Sequence, residues 1–189
     1  MSVKSDNIKA FVKYLKQQVT NHSLYLWGGQ GEKVETGGFV NVKHITNAEQ
    51  TAETAKRVVD KIVDCYKAGY NMAYALFFDC SGLGVYYFLK YGFITSDTTA
   101  DGLYNLCKKH PEMSELKKGD MVFKSKTSAG KWGHVGYVGD KDADGNLIIY
   151  EARGRAYGVV CRPLSAGDWT GTGRPDFWSK EVTKAKEAA

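Results

Sequence analysis

Trp132-Gly133-His134-Val135-Gly136-Tyr137-Val138-Gly139, then Asp140-Lys141-Asp142-Ala143-Asp144-Gly145, then Leu147-Ile148-Ile149-Tyr150-Glu151-Ala152 is the stretch on which the fold turns. Its outer segments, 134–139 and 147–152, are short and rich in strand-forming residues, and Asp144-Gly145 is a turn signal between them. The whole reads as an antiparallel hairpin turning at 141–144, with Glu151 directly opposite His134 on the same face. A slip of one residue would send Glu151 to the other face. The same residues satisfy the calcium-loop pattern of alternating acidic residues, a glycine and a final Glu151. That loop needs flanking helices, and in an extended strand Glu151 lies roughly 20 Å from Gly145. The hairpin reading is therefore preferred, with calcium binding by the turn at 140–145 left open.

Working outward, residues 121–124 and 158–162 are also strand-like, and Lys118-Gly119-Asp120 marks a turn. Before Pro111 the texture is helical. Ile8, Phe11, Val12, Leu15 and Val19 share one helix face behind a cap at Ser5 or Asp6. A second helix is predicted after Asn47, with Asn47 and Gln50 as a capping box. Its apolar face is Ala55, Val58, Val59, Ile62, Val63 and Tyr66, and Gly69 ends it. A third spans about 80–91 and stops at Gly92, and a fourth spans about 98–109 behind Asp97. The glycine-rich region 28–46 reads as loop with one short strand at 39–42. Helices first and an antiparallel sheet second make the fold class α+β. Residues 1–178 are expected to form one domain, with 179–189 a charged tail or the start of a linker.

With 189 residues, one well-developed core is expected. A net charge of +5 from scattered lysines and arginines gives no basic stripe, so nucleic acid is not an expected partner. No segment approaches the length of a membrane span, and residues 1–20 lack the apolar core of a signal peptide. Cys65, Cys80, Cys107 and Cys161 are too dispersed for a zinc site and are expected to be free thiols; no metal or cofactor is expected.

Phe78-Asp79-Cys80-Ser81-Gly82-Leu83 places a thiol where an apolar segment meets a helix N-terminus. The helix dipole and its unpaired N–H groups should lower the thiol pKa and supply donors for an oxyanion. The plain alternative is a buried structural cysteine, which suits Cys65 and Cys107 in helices and Cys161 in a strand better. Of the histidines, His22 and His44 lie in polar loops and His110 precedes a proline. Only His134 lies in a strand, between Gly133 and Gly136. A carboxylate at Glu151 would hold its imidazole in one tautomer.

These residues, in this order, resemble the NlpC-type cell-wall peptidases, a compact branch of the papain-like cysteine peptidases. The matching pieces are Tyr25-Leu26-Trp27-Gly28-Gly29, the segment around Cys80, Gly119-Asp120, the segment around His134, and Tyr150-Glu151-Ala152. The resemblance implies a central antiparallel sheet with the nucleophile's helix packed on it. It also implies hydrolysis of peptidoglycan stem peptides at the bacterial cell wall, with the bond between D-glutamate and a diamino acid favoured. Carried over, Cys80 is the nucleophile, His134 the base and Glu151 the third polar group. Tyr25 lines the site near the thiol, and Asp79, Ser81, Trp132, Arg153 and Arg155 are further oxyanion or substrate candidates, the arginines for a stem-peptide carboxylate.

The long spacer from Gly29 to Asp79 departs from the family pattern and is expected to be a helical insertion at about 30–76. Glutamate at the third position is similar to the amidase-type relatives common in phage lysins. That keeps open an N-acetylmuramoyl-L-alanine amidase, or another amide hydrolase or acyltransferase. A further alternative is a non-catalytic wall-binding module. A separate wall-binding domain beyond the C-terminus is also expected as a partner of the catalytic domain.

Overall fold

A computed structural model of the chain describes residues 2–182. Helix α1 (Val3–Thr20) opens it, capped by the Ser2 side chain rather than by Ser5 or Asp6. Strand β1 (Leu24–Tyr25) follows, then β2 (Gln30–Lys33) and a small hairpin of β3 (Glu35–Thr36) and β4 (Phe39–Val40). Helices α2 (Val42–Ala48) and α3 (Ala52–Lys67) lead to β5 (Leu76–Phe78), α4 (Gly82–Lys90) and α5 (Ala100–Leu106). The second half holds β6 (Met121–Lys126), β7 (Trp132–Lys141), β8 (Leu147–Ala152), β9 (Val159–Pro163) and β10 (Gly171–Gly173).

The five later strands form one antiparallel sheet in the order β10-β6-β7-β8-β9, and β1, β5 and β2 form a second, smaller one. The α+β class and the central antiparallel sheet expected from the sequence are both present. Alternation along β7 divides its side chains between two layers. Val135 and Tyr137 enter the main core with Phe11, Leu15, Phe88 and Trp178, beneath α1 and α4. Val138 enters a smaller cluster with Val122, Ile149 and Trp169 on the opposite face. A third cluster, including Leu26, Ile45, Val58, Ile62 and Phe77, joins α2 and α3 to β5.

Local chemistry corrects several boundaries. The capping box of α3 is Thr51 with Thr54, because Asn47 is already inside α2. The buried stripe of α3 is Ala55, Val58, Ile62 and Cys65, while Val63 and Tyr66 face outward. The strand foreseen at 39–42 stops at Val40, since Asn41 caps α2. Thr99, not Asp97, caps α5, and that helix ends at Leu106, which makes Cys107 its buried C-cap rather than a mid-helix residue. Helix α4 ends as foreseen near Gly92, which takes φ +77°.

Ser179 and Lys180 are docked on the domain rather than trailing from it. Lys180 donates to the Phe93 carbonyl at 2.7 Å, and its own carbonyl accepts from Asn7 at 2.9 Å. The rest of the foreseen tail, 183–189, lies outside the described residues.

Candidate active site

Strand β5 ends at Phe78 beside Tyr25 of β1, and the chain turns through Asp79, Cys80 and Ser81 into α4. Asp79 makes this turn. Its Oδ1 accepts from the Gly82 N–H at 2.6 Å and from the Ser81 hydroxyl at 3.0 Å. Its own N–H donates to the Gly29 carbonyl at 2.9 Å. A Cβ at position 82 would collide with that same carbonyl oxygen, so only glycine lets the Gly28-Gly29 loop lie against the helix start. Asp79 and Ser81, foreseen as oxyanion or substrate groups, thus direct their side chains at each other and at the helix end.

The first turn of α4 is anchored on the sheet by Tyr137. Its buried hydroxyl donates toward the carbonyls of Cys80 (3.3 Å) and Ser81 (3.0 Å) and accepts from the Gly84 N–H at 3.2 Å. The sequence reading took Tyr137 as an ordinary strand residue. Nothing in one strand says that its hydroxyl meets the start of a distant helix.

The Cys80 sulfur lies 3.7 Å from the Gly133 carbonyl and within reach of the Val135 N–H. Those are the peptide groups on either side of His134. The β7–β8 pairing stops at Tyr137↔Tyr150, and the thiol occupies the edge of β7 just beyond that point. The sulfur therefore stands level with His134 rather than behind the sheet.

His134 and Glu151 are not directly opposed, which corrects the expected register. The observed partners Tyr137↔Tyr150 and Val138↔Ile149 set Glu151 level with Gly136, two residues from His134. An even displacement preserves the face, and the diagonal is within reach of a long side chain. His134 Nε2 lies 2.7 Å from Glu151 Oε2. The imidazole also stacks on Trp169, with ring centroids 5.7 Å apart.

Glu151 is fully buried, and three basic side chains surround it: His134 from β7, Arg162 from β9 with Nε at 2.6 Å, and Lys124 from β6 at 3.8 Å. Burial alone would raise the carboxyl pKa. The hydrogen bonds from His134 and Arg162 and the nearby charges outweigh it and hold the group at about 2. Arg162, Lys124 and Trp169 were not singled out from the sequence. Arg162 had a signal, since an arginine on the strand next to a buried glutamate is the expected counter-ion.

The electrostatics of the thiol run opposite to expectation. Burial first, and the Asp79 carboxylate second, push Cys80 up to about 12, despite nearby N–H groups that favour the thiolate. The helix-start effect is weak because the first-turn donors are already used. Gly82 N–H goes to Asp79 Oδ1, Leu83 N–H to the Asp79 carbonyl, and Gly84 N–H to Tyr137 and the Ser81 carbonyl. The N–H groups of Cys80 and Ser81 remain directed at the sulfur. Tyr25 stands nearby; burial and the neighbouring Cys80 and Asp79 raise its hydroxyl pKa, so it stays a proton donor.

Three other candidates have structural partners. Trp132 packs its ring on Tyr104 and Phe123, and its backbone N–H donates to Asp101 Oδ1 at 3.0 Å. Arg153 stacks on Tyr157, its guanidinium carbon 4.0 Å from the ring centre. Arg155 is forked onto Glu49, with Nε at 2.8 Å, and covers the Tyr25 ring. All four cysteines are free thiols.

The calcium-loop alternative fails on geometry. Asp140 pairs with Lys16 and Lys118, Asp142 accepts from the N–H groups of Asp144 and Asn146 within the turn, and Glu151 is committed to His134. Among the described residues no group of three or more His, Cys, Asp or Glu is placed to hold a metal ion. No helix among them is long and apolar enough to cross a membrane.

A turn-borne thiol at the head of a helix, laid against a strand histidine, is the arrangement of a papain-like fold. The model of the NlpC/P60 family matches residues 63–172, more than half of the chain, and the chain belongs to that family. Among solved structures it is similar to the P60 domain of an antigen from Mycobacterium avium subspecies paratuberculosis. The two are 22% identical over 90% of this chain and 96% of that one, with a TM-score of 0.51. It is also similar to the peptidoglycan hydrolase RipB from Mycobacterium tuberculosis, at 19% identity over 91% of this chain and 82% of that one, TM-score 0.41. No curated protein matches the sequence.

Proposed function

We propose that the protein is a cell-wall hydrolase that cleaves amide bonds of peptidoglycan stem peptides with Cys80 as nucleophile. The observation that carries this reading is the run of contacts from the Cys80 sulfur to the peptide groups flanking His134, and from His134 Nε2 to buried Glu151. Membership of the NlpC/P60 family supports the substrate class, and a solved neighbour is itself named a peptidoglycan hydrolase.

With Nε2 held by Glu151, Nδ1 is the ring nitrogen left for the thiol. The resting thiol is protonated, so His134 takes its proton as the sulfur attacks the carbonyl carbon. The negative oxygen that forms is met by the Cys80 N–H and the Tyr25 hydroxyl. His134 then returns the proton to the departing amine, the C–N bond breaks, and a thioester remains on Cys80. Water, deprotonated by His134, hydrolyses the thioester and frees the acid. Glu151 stabilises the imidazolium in both halves.

The favoured bond joins D-glutamate to the diamino acid, with the site of action at the bacterial wall. Glutamate as third group favours a second reading, an amidase that separates the sugar from the first alanine. Mass spectrometry of purified peptidoglycan digested by the protein tests both. A new amine on the diamino acid supports the first reading, and a free N-terminal L-alanine supports the second. Digests identical to those of the Cys80→Ala variant would refute hydrolysis altogether.

A further inference from the structure

Glu49 lies at the end of α2, in the segment between Gly29 and Asp79, far in sequence from Cys80, His134 and Glu151. It is nevertheless buried, with a side chain that is 0% exposed. Its Oε1 accepts from the Trp27 N–H at 3.1 Å. Its Oε2 takes both Nε and Nη2 of Arg155, at 2.8 and 2.6 Å. The guanidinium so held lies over the ring of Tyr25, its carbon 5.4 Å from the centre. Burial opposes a charge on Glu49, and the hydrogen bonds from Arg155 and Trp27 outweigh it and keep the carboxyl below its ordinary pKa.

We infer that Glu49 is a positioning residue for substrate binding: it ties the Trp27 loop to Arg155 across Tyr25 and aims the free edge of the guanidinium at a carboxylate of the substrate. This rests on the functional reading above and narrows its substrate to one carrying a free carboxylate beside the scissile amide. Three observations converge on it. A buried carboxylate is costly unless paired, and besides the Thr54 side chain of α3 this one takes its partners from the two segments that bracket Tyr25. The fork consumes Nε and Nη2, which leaves Nη1 as the guanidinium nitrogen that Glu49 does not engage. On the other segment, Trp27 stays 52% exposed although its backbone is clamped, as suits a residue that covers a bound ligand.

The test uses a soluble peptidoglycan fragment, a disaccharide bearing its stem peptide, titrated calorimetrically into Cys80→Ala protein. Glu49→Gln keeps an acceptor for the Trp27 backbone N–H and removes the negative charge that holds Arg155. It should weaken binding about tenfold or more, Arg155→Gln should do the same, and the double variant should be no worse than either. Arg155→Lys, which keeps the charge but not the fork, should restore little. In the Cys80-containing protein the Glu49→Gln loss should fall on KM rather than kcat. If Glu49→Gln fails to fold, judged by its unfolding midpoint, the Arg155 variants decide by the same binding loss.

Unaltered binding in these variants, or losses that simply add in the double variant, overturns the inference and leaves the hydrolase reading intact. Failure of the Cys80→Ala protein to bind the fragment at all overturns both.

Discussion

His134 Nε2 and Glu151 Oε2 are 2.7 Å apart, although the ladder sets Glu151 level with Gly136 and not with His134. This diagonal contact engages the Nε2 side of the imidazole, and it places a charged carboxylate inside the domain. Arg162 and Lys124 hold that charge from the strands on either side of the β7–β8 pair.

Replacing Glu151 by Gln should therefore have two separable effects. The rate constant for hydrolysis should fall about 10²-fold or more, because an amide neither stabilises the imidazolium nor fixes the tautomer. Stability should respond to acid in a defined direction. The carboxyl is held at about 2 against an ordinary value of 4.5, so its contribution is complete above about pH 4.5 and is lost as pH falls towards 2. The contribution is on the order of 3 kcal/mol. Urea unfolding between pH 6 and pH 2 should show this steep acid loss in the parent and a shallower one in the variant.

Asp79 supplies the charge that, after burial, most opposes a Cys80 thiolate. Asp79→Asn keeps an acceptor for the Gly82 N–H while removing that charge, so the thiol pKa should fall. Iodoacetamide labelling, followed by mass spectrometry across pH with exposed Cys161 as the internal reference, should find Cys80 slower than Cys161 at pH 7. Labelling of Cys80 should speed up in the Asn variant. Rapid labelling of Cys80 in the parent at pH 7 would contradict a thiol that rests protonated.

Tyr137→Phe removes the one hydroxyl shared by the Cys80 and Ser81 carbonyls and the Gly84 N–H. The site is buried, so the loss should cost about 1–3 kcal/mol in urea unfolding. With the first turn of α4 released from β7, kcat should drop while KM stays near the parent value. A variant that is destabilised but fully active would show that the hydroxyl holds the fold together and not the nucleophile in place.

Much of the architecture was legible where periodicity is long or punctuation strong. The face of α1, the end of α4 at Gly92 and strand β8 all follow from residue spacing and turn chemistry. The short strands β1 and β5 were not legible, since runs of two and three residues carry no period. The capping box at Thr51 was hidden by an equally good pattern at Asn47, and the compact α2 decided between them.

Cys80, His134, Glu151 and Tyr25 were each visible as residues of the right type in the right order, and the structure brings them to one place. Their energetics were not visible. The helix-start argument for a reactive thiol counted donors that tertiary neighbours had already taken, as Tyr137 and Asp79 show. Arg155 stood in the sequence as a candidate partner for a substrate carboxylate, and nothing local showed that Glu49, more than a hundred residues away in the chain, would hold it.

What this sequence determined alone is the α+β layout, the family pattern and the identity of the chemically able side chains, because local spacing and turn residues act over a few positions. What only the tertiary structure decided is the two-residue offset between His134 and Glu151, the protonated state of Cys80 and the coupling of Glu49 to Arg155. Those depend on burial and on charges from distant segments, and neither is a property of any short stretch of chain.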